Sequence, residues 1–308
     1  MSTVPPRVSV GVPVYNGEKY LLHALTRLLQ QDFEDFEIVI SDNASTDATR
    51  DICLEFARKD ARIRYSRNVA NIGLAANHNR VFELSRGQLF KWAAYDDDFP
   101  PGMLLRFVKG FDDAGPSVSV VYSHCEYIDE FGGPEWVDSD GVDSSDPRPH
   151  RRLAHLLAKI HMYNCPYGLI RSEMLRKTHL YGLYPKSDHV LFAELSMLGV
   201  FIEIPEPLLR IRRHPGRTFT ATRDPKMLRD LFKPGRGPRF SIGIEPRMRL
   251  ELIRAAARAP LSITDRVLCT TVAAVTPQWR AFRAFGGRQK QKLLGRPSPI
   301  DGASPASR

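Results

Sequence analysis

Cysteine is scarce in this chain: four in 308 residues, Cys53, Cys125, Cys165 and Cys269, with no C-x-x-C pair among them. That pattern argues against a disulfide scaffold and a structural zinc site, and it suits a reducing compartment. Long apolar runs are missing as well. Val190–Ile204 and Val267–Val275 are interrupted by charge or too short to cross a bilayer. The opening Met-Ser-Thr-Val-Pro-Pro-Arg has no apolar signal core. The expectation is a cytoplasmic protein, at most peripheral on the inner membrane face. No internal repeat is visible, and 43% hydrophobic with 26% charged residues is the composition of an ordinary globular chain rather than a disordered or fibrous one.

The charge is unevenly spread. Residues 206–308 hold 22 of the 44 Lys and Arg but only 7 of the 35 Asp and Glu, a net of +15, which leaves residues 1–205 at −6. A basic tail favours anionic partners, an acidic membrane surface among them, although a solvated basic face would look the same. Nucleic acid is not expected as a partner, because no recognition motif is present and stacking aromatics are sparse in the tail.

Short β-rich runs alternate with helical patterns through the first half. Val8–Val14, Glu37–Ser41, Ile63–Ser66, Gln88–Ala94 and Val118–Ser123 read as strands. Between them, Leu21, Leu22, Leu25, Leu28 and Leu29 share a helix face. Ser45-Thr46-Asp47 offers an N-cap to a helix that turns Ile52 and Phe56 inward, Leu74–Leu84 reads as a third helix, and Met103–Phe111 as a fourth. Repeated βα units imply an α/β fold with a mostly parallel sheet flanked by helices. Such sheets bind ligands at the carboxyl ends of their strands, which puts Asn16, Asp42 and Asp96-Asp97-Asp98 on one rim. Phe131–Arg152 reads as a flexible loop, 218–238 as a linker, and two basic helices follow before a disordered tail from Gly286. Ser262 and Asp265 resemble a capping box for the second of those helices. The division expected is 1–217, 218–285 and 286–308.

Three consecutive aspartates at a strand end repel one another unless a cation joins them or water solvates them. Mg²⁺ or Mn²⁺, taking one or two carboxylates and completing its shell with phosphate and water, is one resolution. An acidic turn that caps the helix at Pro100 is the other.

Ordered motifs along Val8–His214 resemble the family 2 glycosyltransferases and their nucleotide-binding GT-A domain. They are Val8 to Asn16, Ile38 to Asp47 (against V-D-D-G-S-T-D), Asn71-Ile72-Gly73-Leu74 through Asn77 (N-x-G-L), and Gly87 to Asp98. Asn43 and Ala44 depart from the usual Asp-Gly, and Ala94-Tyr95 stands where the first aspartate of a D-x-D is common. The resemblance implies a GT-A, Rossmann-like fold with a basic helical extension. It implies inverting transfer of a sugar from a nucleotide diphosphate, UDP or dTDP favoured, to a glycan or lipid-linked acceptor.

By the same resemblance Pro13, Tyr15 and Asn16 would hold base and ribose, and Asp42 would accept from the nucleobase imide. Asn71, Gly73 and Asn77 would lie near the nucleotide, Asp96 near the ribose, Asp97 or Asp98 on the ion, and His214 near the diphosphate or on the ion. Asp188 would be the base that deprotonates the acceptor, and Asn164–Gly168 would line the acceptor site. A non-catalytic nucleotide-sugar or membrane-binding protein that kept the fold is the alternative.

Overall fold

The computed structural model describes residues 4–159, 165–215, 231–232 and 243–276. One sheet lies between two helical layers, with strands β1 (Val8–Val14), β2 (Phe36–Asp42), β3 (Ile63–Arg67), β4 (Leu89–Trp92), β5 (Val118–Ile128), β6 (Pro134–Asp138), β7 (Leu169–Arg171) and β8 (Val200–Arg212). Their order is β3-β2-β1-β4-β7-β5-β6, and β8 pairs with β5. The first four are mutually parallel and β8 runs parallel to β5, while β7 and β6 pair antiparallel with their neighbours.

Helices α1 (Leu21–Leu29), α2 (Thr49–Lys59) and α4 (Met103–Ala114) cover one face. The other is covered by α3 (Leu74–Glu83), α5 (Pro149–Lys159), α7 (Ser187–Leu198), α8 (Ile244–Arg258) and a final helix α9 over 263–276. A short α6 (Ser172–Leu175) follows β7.

The central strand β1 is buried along its whole length because helices cover both of its faces. Its side toward β4 is paired only from Val8 to Gly11. Pro13 therefore sits where the strand has no neighbour on that side to receive an N–H, and a proline is tolerated. At Gly11 an added Cβ would fall 2.7 Å from the Phe90 ring, so the close β1–β4 approach needs glycine there. In α1 the buried residues are Leu21, Ala24, Leu25 and Leu28; Leu22 faces solvent, outside the stripe to which its spacing assigned it.

Several expectations are corrected. The stretch read as a loop, 131–152, contains edge strand β6 and the first turn of α5. Strand β5 continues to Ile128, and β8 was not anticipated at all. Pro205 and Pro207 interrupt the pattern of β8, but they fall between its isolated bridges at Phe201 and Arg210, where no second strand is paired and prolines do little harm. Helix α2 starts at Thr49, with Asp47 Oδ1 accepting the Thr49 N–H at 3.1 Å; Ser45 is engaged elsewhere. The Ser262–Asp265 box forms, with Asp265 N–H donating to Ser262 Oγ at 3.1 Å. The buried side of α8, Leu252, Ala255 and Ala256, joins the cluster built on α7. On α9 the exposed side carries Ile263, Val267, Leu268 and Val275 without a charge. No helix among the described residues is long and apolar enough to cross a membrane. The stretch 218–238, apart from residues 231–232, and the tail from Gly286 lie outside the described residues.

Candidate active site

The carboxyl ends of β1, β2, β4 and β8 form one rim, and most of the anticipated residues stand along it. After β1 the chain passes through Asn16 at φ +51°, and Asn16 Oδ1 accepts the Thr46 N–H at 2.9 Å. In return the Asn16 N–H donates to Ser45 Oγ at 2.9 Å. These bonds stitch the β1 and β2 loops together and leave Tyr15 and Asn16 exposed above them. Pro13 is buried below.

Asp42, at the end of β2, has no exposed surface. Its Oδ1 accepts from Ser45 N–H at 2.8 Å and its Oδ2 from the Tyr65 hydroxyl at 2.7 Å, with Arg67 Nε 3.3 Å away. In this arrangement the carboxylate organises the loop and holds Arg67. Asn77 is likewise inside: it donates to Ser41 O and accepts from Ser41 Oγ and Asn68 Nδ2, at 2.9, 2.7 and 2.9 Å. Asn71 Oδ1 accepts from Asn43 Nδ2 and from the Gly73 N–H, both at 2.9 Å. Gly73 enters α3 at φ +88°, a conformation that favours glycine.

The three aspartates point in different directions. Asp96 Oδ2 meets His214 Nε2 at 2.9 Å, and their side chains are only 14% and 9% exposed. Tyr20 packs against the His214 ring at 4.9 Å. Asp97 Oδ1 accepts the Arg212 N–H at 3.1 Å, and Arg212 Nε donates to Asp96 O at 3.1 Å. Asp98 turns away toward α1, where Arg27 Nε donates to it at 2.9 Å and His23 Nε2 lies at 3.0 Å; Arg210 adds a contact at 3.4 Å. Burial pushes the Asp98 carboxyl up, but Arg27 and His23 outweigh it and hold it below the usual carboxylate range. Asp96 and His214 are thus brought together, whereas Asp98 is neutralised by arginines. The metal role anticipated for Asp98 does not suit that position, because an ion there would have to displace Arg27.

Asp188 lies in the first turn of α7, about one-third exposed, after Lys186 at φ +64°. Helix α7 leads into β8, a strand parallel to β5, so the helix begins at the same carboxyl rim. His189 Nδ1 is 3.1 Å from Asp188 Oδ1. Beside it Trp92, Tyr181 and His78 form an aromatic corner, with Trp92 edge-on to Tyr181 at 5.0 Å and His78 to Tyr181 at 5.1 Å. Asn79 fixes Tyr181 by two backbone bonds of 2.9 Å, one given and one received. From the C-terminal side, Lys186 pairs with Glu245 of α8, and Arg247 stacks on Tyr184 at 4.6 Å.

Lys91 and Asp140 are among the buried charges that the sequence pattern did not announce. Lys91, inside β4, donates to Tyr167 O and lies over the Phe107 ring at 5.5 Å; burial pushes its pKa down to about 8. Asp140 Oδ2 accepts the Cys165 N–H at 2.7 Å. An anion and a cation therefore stand at the N- and C-terminal ends of the 3₁₀ turn Cys165–Tyr167, as the turn's dipole favours. Lys91 could have been noticed as a lone charge in Leu-Phe-Lys-Trp. Arg27 and His23 carried no such signal, since each has the period of an ordinary exposed helix position.

The family model described as glycosyl transferase family 2 matches residues 9–178. An uncharacterised glycosyltransferase of Haemophilus influenzae is 25% identical over 220 residues, 69% of this chain and 67% of its own. The chain spans 45%, 67% and 23% of the length of three curated relatives it matches. Among solved structures, residues 1–349 of S. aureus TarS share the fold with a TM-score of 0.58 at 19% identity, covering 88% of this chain and 71% of that one. TarS has also been solved with UDP-GlcNAc, at a TM-score of 0.55 and 16% identity, with 94% and 92% of the two chains covered. The Pyrobaculum calidifontis mannosyltransferase PcManGT, solved with GDP-Man and Mn²⁺, gives 0.50 at 19% identity, covering 96% and 89%. At these identities the structural likeness establishes a GT-A-type fold, and the family model, which covers more than half the chain, establishes descent: the protein belongs to glycosyl transferase family 2.

Proposed function

We propose that this chain is an inverting, metal-dependent glycosyltransferase acting in the synthesis of cell-surface polysaccharide or glycolipid. Its donor is a nucleotide diphosphate sugar, UDP or dTDP favoured, and its acceptor a hydroxyl of a glycan or lipid-linked sugar. The observation that carries this reading is the Asp96–His214 pair on the same rim as Asp188, within a fold shared with proteins solved with UDP-GlcNAc and with GDP-Man and Mn²⁺.

The pair fits a divalent cation. It offers one carboxylate and one imidazole, and no group of three or more ligating side chains occurs among the described residues. Mg²⁺ or Mn²⁺ would complete its shell with diphosphate oxygens and water. When bound, the ion would offset the charge growing on the departing diphosphate. Tyr15 and Asn16, exposed on the rim, would flank base and ribose, with Arg67 and Asp42 shaping that edge. Asp188 would take the acceptor proton as the acceptor oxygen bonds to the anomeric carbon and the bond from that carbon to the diphosphate oxygen breaks.

Residues 1–217 form the catalytic unit in this reading, 218–285 the basic extension and 286–308 a tail. The +15 charge beyond residue 205 and the uncharged exposed side of α9 support a peripheral position on the cytoplasmic face of an anionic membrane.

A thermal-shift screen of UDP-GlcNAc, UDP-glucose, dTDP-glucose and GDP-mannose, with and without Mn²⁺, tests the proposal. One donor should stabilise the wild type only when Mn²⁺ is present, and Asp96→Asn should lose most of that shift. Asp188→Asn should keep the shift and lose transfer by about a hundredfold or more. A screen in which no nucleotide sugar shifts the protein, or an Asp188→Asn variant that transfers normally, overturns it.

A further inference from the structure

We propose that His78 reads the sugar: its Nε2 accepts a hydrogen bond from a sugar hydroxyl next to Asp188. The inference rests on the glycosyltransferase reading above and adds to it a residue that the family motifs do not supply.

The argument begins with the other ring nitrogen. Nδ1 of His78 lies 2.9 Å from Leu74 O, one turn earlier in α3. A carbonyl oxygen can only accept, so Nδ1 carries the hydrogen. Burial then keeps the ring from taking a second proton, moving its pKa down to about 4 against the opposing pull of the Leu74 bond and the Asp188 charge. The neutral ring is left with a lone pair on Nε2, and that atom has no hydrogen-bond partner among the described residues. It is not sealed off either, since His78 is partly exposed and Nε2 is absent from the buried polar atoms that lack a partner.

The surroundings hold that lone pair in place. His78 O accepts from Trp92 Nε1 at 3.0 Å, and its ring packs on Tyr181 at 5.1 Å. Tyr181 is itself held by the two bonds to Asn79. Asp188, in the first turn of α7, lies close enough for its charge to act on both His78 and Tyr181. What converges there is an imidazole lone pair, a carboxylate and the Tyr181 ring, and no group of three side chains able to hold a metal occurs among the described residues.

Two acceptors at one corner suit a group that donates hydrogen bonds. The half-buried Tyr181 ring suits the C–H face of a pyranose. A sugar with neighbouring hydroxyls meets both demands, one hydroxyl on Asp188 and one on His78. The hydroxyl could come from the transferred sugar or from the acceptor, and the chemistry is shared.

Asparagine and glutamine separate this role from a structural one. In His78→Asn the amide nitrogen stands where Nδ1 was, preserving the bond to Leu74 O and leaving nothing at Nε2. In His78→Gln the terminal amide reaches the Nε2 position and the Leu74 bond is lost. Each variant is assayed with the donor that stabilises the wild type in the screen above, with water as acceptor and then with octyl β-glucoside and octyl β-galactoside.

The Asn variant should lose about tenfold in kcat/KM, and the Gln variant should recover most of it. A loss in hydrolysis and transfer alike assigns the hydroxyl to the transferred sugar, and a loss in transfer alone assigns it to the acceptor. An Asn variant as active as the wild type, or a Gln variant worse than Asn, overturns the proposal in favour of a structural bond to Leu74. A wild type with no nucleotide-sugar-dependent activity removes the glycosyltransferase reading, and this role with it; an active wild type with an unaffected Asn variant removes this role alone.

Discussion

Replacing Lys91 by methionine keeps the length and volume of the side chain and removes a charge that has no exposed surface. The lysine pKa falls from 10.5 in the unfolded chain to about 8 in the fold, with desolvation the main cause. A shift of roughly 2.5 units corresponds to a penalty of about 3 kcal/mol at pH 7, where both states are protonated. The substitution relieves that penalty but removes the Lys91 hydrogen bond to Tyr167 O, at a cost of about 1–3 kcal/mol. At pH 7 the variant should therefore range from equal stability to about 2 kcal/mol more stable than the wild type.

The pH dependence is the sharper test. Between the folded and unfolded pKa values the native lysine is neutral while the unfolded one still binds a proton, so wild-type stability rises with pH across that window. From pH 7 to pH 9.5 the wild type should gain about 2 kcal/mol on the variant. Urea unfolding of both proteins at the two pH values reads this directly, and the shared tyrosines and the cysteines other than Cys125, which feels the Lys91 charge, cancel in the difference. A gap between the two proteins that stays constant from pH 7 to 9.5 would mean that Lys91 is not a desolvated cation. The account of the charges at the two ends of the Cys165–Tyr167 turn would then fail.

Two further outcomes follow from the same geometry. Arg27→Met should cost about 2–4 kcal/mol near neutral pH, because Asp98 stays buried with only His23 and Arg210 beside it. Since the folded Asp98 pKa is depressed, the stability it contributes is present above the ordinary carboxylate range and fades as pH falls through the folded value. The cost of Arg27→Met should therefore shrink at pH 3, and urea midpoints at pH 7 and 3 would show it; an equal cost at both excludes the ion pair. Asn77→Ala removes three internal hydrogen bonds and should lower stability by about 2–3 kcal/mol, read as a lower denaturation midpoint. Loss of donor binding with an unchanged midpoint would instead return Asn77 to the nucleotide.

Much of the architecture was legible in the primary structure because hydrophobic period is a local property. Val8–Val14 declares a strand covered on both faces, and Leu21, Leu25 and Leu28 declare the helix that covers one of them. Once β and α alternate, a parallel sheet follows, and with it a rim where Asn16, Asp42 and the aspartate run must assemble. The same holds for the Ser262–Asp265 cap, whose bond spans three residues.

What one stretch of chain cannot state is which distant partner each side chain meets. Asp96, Asp97 and Asp98 are chemically identical neighbours, and their roles diverge because β8 returns more than a hundred residues later. It brings Arg210 to Asp98, the Arg212 backbone to Asp97 and His214 to Asp96. Asp42 and Asn77 looked like ligands by type and place, yet the folded loops surround both with donors and acceptors from within the chain. Local periodicity thus decided where the rim would be. Long-range strand pairing decided which carboxylates on it were neutralised by arginine and which was left beside an imidazole, because the charge a group feels depends on everything that packs around it.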